Sequence, residues 1–104
     1  MMSTWTAVLE YLASSKAQVC ELAVSPYLCE FWPLSEIDRY NAEYEVERFA
    51  PGYRGFATSG GGEMFALSPN GRVVCLPFIG MAPSVAIELA PSWAAFLGML
   101  RSAA

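Results

Sequence analysis

The chain contains no histidine. That absence removes imidazole acid–base catalysis, Ser-His-Asp and Cys-His nucleophiles, and every histidine-containing zinc site. Charge is also scarce, at 15% of residues against about 25% in ordinary globular domains. Six basic residues face ten acidic ones, for a net charge of −4. No basic patch exists, so nucleic-acid binding by phosphate neutralisation has almost nothing to act through. Cys20, Cys29 and Cys75 are odd in number and lack any C-x-x-C spacing. They read as buried or half-buried thiols in a reducing cytosol, not as a disulfide framework or metal site. The longest apolar stretch, Val73 to Ala82, is interrupted by Pro77 and Gly80 and is too short to span a bilayer. Met1-Met2-Ser3-Thr4 leads straight into an amphipathic segment, without a basic region followed by an apolar one. A soluble, cytoplasmic protein is expected, with no membrane partner.

What is present is apolar. Hydrophobic residues make up 55% of 104 positions, enough for one packed core and incompatible with intrinsic disorder. Residues 1–104 read as a single domain. The apolar excess also leads us to expect exposed hydrophobic surface for a partner or a homodimer.

Trp5, Val8, Leu9 and Leu12 follow Ser3 and Thr4 at helical spacing, which predicts a helix ending near Ser14-Ser15. Val19 to Val24 and Tyr27 to Trp32 read as strands around the Ser25-Pro26 turn. Ser35 and Asp38 resemble a capping box, and a helix from about Ser35 to Asn41 should turn Leu34 and Ile37 inward. Tyr44 to Phe49 alternates with period two, which in an extended chain would place Glu43, Glu45 and Glu47 on one side. After Pro51-Gly52 come strands at Tyr53–Thr58, Glu63–Leu67 and Arg72–Phe78. Asn70-Gly71 signals a tight hairpin in which both residues accept positive φ. Pro77 suggests an edge or a bulge. Trp93, Phe96, Leu97 and Leu100 form the clearest helix, with Ser92 as N-cap. The sum is an α+β fold, a curved antiparallel meander flanked by short N-terminal, middle and C-terminal helices.

Between Glu30 and Glu47, six carboxylates stand against Arg39 alone. A solvated face is the ordinary meaning of such a run, and a docking surface for a basic protein is the sharper one. The partner-binding candidates are Glu36, Asp38, Tyr40, Glu43, Tyr44, Glu45 and Glu47, the tyrosines serving as anchors. Gly60-Gly61-Gly62 precedes a strand and Glu63, not a helix, so it reads as a turn and not a phosphate cradle. Strain from a branched side chain at Gly61 is expected on that reading. A carboxylate pair between Glu63 and one of Glu36 to Glu47 has nothing in sequence to bring it together. Trp32, Trp93 and Tyr40 read as core.

The order of motifs is more specific than any one of them. Tyr27 to Ile37 (YLCEFWPLSEI) is followed by Asn41, Tyr44-Glu45-Val46, Ala50-Pro51-Gly52, Gly55 to Glu63 (GFATSGGGE), Val74 to Phe78 and Ser92 to Leu97 (SWAAFL). This succession resembles the SUKH superfamily, which includes the fungal Smi/Knr regulators and many bacterial immunity proteins. The likeness spans about residues 27–100. It departs at Ser59 and Ser68, where the family carries acids, and the family's N-terminal Pro-x-x-Tyr helix and Asn-Gly-Gly turn are not found in residues 1–26. The resemblance implies a curved antiparallel α+β fold, no enzymatic activity and no cofactor. It also implies a cytoplasmic protein that binds and neutralises a cognate toxin. Trp32, Phe56, Gly60, Gly61, Gly62 and Glu63 match recurrent positions that look structural. The alternative function is a regulatory or scaffold module of the Smi/Knr type, unlinked to a toxin.

Overall fold

The computed structural model describes residues 3–14 and 19–102. Helix α1 (Thr4–Ser14) begins where the Ser3 hydroxyl accepts the Thr6 amide at 3.1 Å. Ser15, near its expected end, lies outside the described residues. Strands β1 (Val19–Glu21) and β2 (Leu28–Phe31) form a hairpin closed by the Tyr27 amide on the Val24 carbonyl at 2.8 Å. Helices α2 (Ile37–Glu43) and α3 (Val46–Phe49) precede β3 (Arg54–Thr58), β4 (Glu63–Leu67), β5 (Val73–Pro77) and β6 (Ile87–Ala90). Helix α4 (Trp93–Met99) and the two-residue β7 (Arg101–Ser102) complete the order. The Ser92 hydroxyl accepts the Ala95 amide at 3.1 Å, the expected N-cap.

One antiparallel sheet runs in the order β6-β5-β4-β3-β2-β1-β7. The first six strands are a meander, and β7 returns to pair beside β1. Six inter-strand spacings of ~4.8 Å would part the edge strands β6 and β7 by about 29 Å in a flat sheet. Helix α4 has seven residues, or about 10 Å of axis, so the sheet must curl for so short a helix to connect its edges. The fold is therefore α+β with a curved antiparallel sheet.

Strands β4 and β5 are buried almost throughout because both sheet faces are covered, which is why they read as continuous apolar runs. On one face a bulge between Gly55 and Ala57 lets Phe56 turn to the same side as Phe65. Phe56 is fully buried. Its ring lies 5.2 Å from Trp93, 5.8 Å from Phe96, 6.1 Å from Phe31 and 6.4 Å from Phe65. On the other face Trp32 and Met64 occupy the space above Gly55, where a Cβ would collide with both. Asn41 fastens α2 to this point. Its amide nitrogen donates to the Ile37 and Gly55 carbonyls at 2.9 Å, and its oxygen accepts the Gly55 amide at 2.8 Å.

Several expectations need correction. Ser35 lies inside a 3-10 turn (Leu34–Glu36), and neither that turn nor α2 has a side-chain cap, so no capping box forms. Pro33 starts the turn earlier than the serine could, and Leu34 is exposed instead of inward. Tyr44 to Phe49 is not extended. Val46 and Ala50 are both buried, and their i, i+4 spacing wins over the period-two pattern once the sheet covers them. The Ser68–Arg72 connection is a hairpin, but only Gly71 has positive φ (82°). Pro69 holds a negative φ at the first turn position, which selects a three-residue loop with glycine at its end.

Strand β6 was not expected. It pairs with β5 only as far as Cys75, opposite Ile87, so Pro77 lies beyond that pairing and behaves as an edge residue. Of the glycine run, Gly60 (φ 79°) and Gly62 (φ 96°) are left-handed. Gly61 is not, and a Cβ there would meet only the Ser59 hydroxyl at 3.7 Å. The strain expected at Gly61 belongs to its two neighbours.

Candidate functional site

Helix α2 divides the predicted residues between its two sides. Asp38 and Ala42, one turn apart, line a cavity of about 340 Å³ together with Val46, Glu47, Trp5 and Arg54. Tyr40 and Tyr44 line the opposite depression, of about 310 Å³, with Trp32 and Pro33. The acidic run is therefore not one face. The expected alignment of Glu43, Glu45 and Glu47 is broken by the turn at Tyr44-Glu45, where Glu45 takes φ 53°.

Most of these carboxylates have local partners. Arg39 bridges Glu36 and Glu43, the latter at 3.0 Å, from i−3 and i+4 positions. Its hydrogen bond holds the Glu36 carboxyl below the ordinary carboxylate value, and the two acids raise the Arg39 value further. Glu45 pairs with Arg48 at 3.1 Å. The Glu47 carboxylate accepts the Gly52 amide at 3.0 Å and so anchors the loop into β3. These contacts shape the helices; each exposed pair adds little to stability.

The tyrosines belong to a continuous row of rings. Trp32 lies 5.0 Å from Tyr40 and stacks on Tyr44 at 6.1 Å, and Tyr44 meets Phe78 at 4.4 Å. Trp32 is buried, Tyr40 and Phe78 are half-buried, and Tyr44 is 41% exposed. The row rises from the core to the surface. Beside it, the floor of the depression is Val19, Glu30 and Thr58, which are direct cross-strand partners on β1, β2 and β3. Glu30, Val19 and Thr58 were missed as site residues. The alternation Leu28-Cys29-Glu30-Phe31 does turn Glu30 away from the core, but only the pairing of distant strands brings the three together.

The glycine turn holds no free cradle in its first amides. The Gly60 amide donates to the Thr58 hydroxyl and the Gly61 amide to the Ser59 hydroxyl, each at 3.1 Å. Cys20 and Cys29 are cross-strand partners, and all three cysteines are free and buried. Burial raises the Cys20 and Cys29 thiols, and it pushes Cys75 up to about 12, which leaves them poor nucleophiles. Among the described residues no group of three His, Cys, Asp or Glu side chains is placed to hold a metal ion, and no helix is long and apolar enough to cross a membrane.

The chain matches no protein-family model and no curated protein.

Proposed function

We propose that this is a non-catalytic protein-binding domain of the SUKH kind that works in the cytoplasm and neutralises a bacterial toxin by occupying it. The observation that carries this reading is the aromatic row from Trp32 to Phe78, which surfaces at Tyr44 amid carboxylates. Tight protein interfaces concentrate their energy in a few aromatic anchors inside a polar rim. The curved antiparallel sheet is the architecture that the sequence resemblance implies. Trp32 and Phe56 are buried against that sheet, which supports the structural part the resemblance implies for them. A nuclease target would present a basic cleft, complementary to the rim. Self-association, expected from the apolar excess, has its best seat at the β6 edge. There Ile79, Val85 and Ile87 are exposed, whereas Val8 of α1 is buried.

The test is co-expression with a candidate toxin domain, sought among the neighbouring genes, scored as cell survival. Wild type should rescue growth. Tyr44→Ala, with its fold checked by circular dichroism, should lose tenfold or more in affinity, about 1.4–3 kcal/mol for a central anchor. A wild-type chain that neither binds nor protects sinks the immunity reading and leaves the regulatory scaffold in its place.

A further inference from the structure

We infer that the depression beside the aromatic row receives a cationic side chain of the bound protein, an arginine, with Glu30 as its counter-charge. This rests on the protein-binding reading of the same face and names the chemistry that the face selects. Three observations converge on it. The depression has a volume of about 310 Å³, room for about ten waters at ~30 Å³ each, so it admits a side chain and not only a solvent molecule. Its walls include the aromatic side chains of Trp32, Tyr40 and Tyr44, and aromatic rings attract cations. Its floor carries Glu30 between Val19 and Thr58.

Among the described residues the local charges leave that carboxylate available. The ion pairs among the described residues are Glu36–Arg39–Glu43, Arg48–Glu45 and Arg72–Glu88. Glu30 takes part in none of them. Arg39 lies 4.8 Å over the Tyr40 ring, but Glu36 and Glu43 hold its charge, so it offsets little of the attraction at Glu30. The Thr58 hydroxyl donates to the Glu63 carbonyl at 3.2 Å and accepts the Gly60 amide, so it supplies a settled polar wall and does not compete for the carboxylate. A planar guanidinium can stack on a ring and donate two parallel bonds to one carboxylate, which an ammonium cannot. Arginine fits better than lysine.

The experiment needs no toxin. N-acetyl-arginine amide is titrated into isotope-labelled protein while amide and indole resonances are followed by NMR. N-acetyl-citrulline amide, similar in shape but uncharged, serves as the comparison. Arginine should move the Trp32 indole and the Val19, Glu30 and Thr58 amides, and citrulline should bind at least several-fold more weakly. Glu30→Gln, a change at an exposed side chain, should weaken arginine binding about three- to tenfold, while Glu88→Gln, on β6 at the far edge of the sheet, leaves it unchanged. Equal binding of citrulline, an unaltered affinity in Glu30→Gln, or shifts confined to other residues would each overturn the inference. If arginine seats as described but the survival assay fails, the cation site stands and the toxin assignment falls.

Discussion

At the scale of single residues, backbone conformation separates glycines that look alike in sequence. Gly62 sits at φ 96° with open space around it, so a side chain there is penalised by strain and not by collision. Gly62→Val should cost roughly 1–3 kcal/mol in urea unfolding, and Gly61→Ala should stay within about 0.5 kcal/mol. Equal losses at both positions would contradict the turn described. The buried thiols make a second residue-level prediction. Burial pushes Cys75 from the ordinary 9.0 up to about 12, so the folded chain holds that proton where the unfolded chain releases it. The resulting stability is full below pH 9 and is lost as pH rises from about 9 to 12, at about 1.4 kcal/mol per pH unit for the thiol. Cys75→Ala should show a shallower fall of the unfolding midpoint between pH 9 and 10.5. An unchanged slope would place the alkaline loss elsewhere.

At the scale of elements, strands β1 to β5 and the end helices were legible because their patterns match their environments. Glu63–Leu67 is the expected strand to the residue, and Ser92 caps α4 as its position implied. The middle of the chain was less legible. A four-residue helix such as α3 has too few positions for a period to be read, and its burial comes from the sheet it lies on. Asn41 illustrates the same limit. It stood in the motif order, yet its role as the clamp between α2 and β3 needed the fold. Removing its amide takes a partner from both backbone groups of Gly55. Asn41→Ala should therefore cost about 2–4 kcal/mol, read as a lower urea midpoint. A loss below 1 kcal/mol would mean that water replaces the amide.

At the scale of the whole molecule, the net charge of −4 acts at distances beyond any contact. Binding of a basic toxin domain should slow roughly tenfold in association rate between 20 mM and 500 mM salt, with little change in dissociation. Stopped-flow mixing would measure both, and a salt-independent association rate would remove steering from the account. The curl of the sheet acts at this scale too. It brings the short α4 across one face, while α2 and α3 cover part of the other and leave the Glu30 depression open beside them.

The sequence alone determined the absence of imidazole chemistry, the apolar core, the meander and the capped final helix, because composition and short-period patterns reflect burial within a segment. Tertiary structure decided which carboxylates face together, and it split Asp38 and Glu47 from Tyr40 and Tyr44 across α2. It also joined Val19, Glu30 and Thr58 into one floor. The reason is physical: a side chain's face follows from its own strand or helix, but its neighbours follow from the register and curvature of strands distant in the chain.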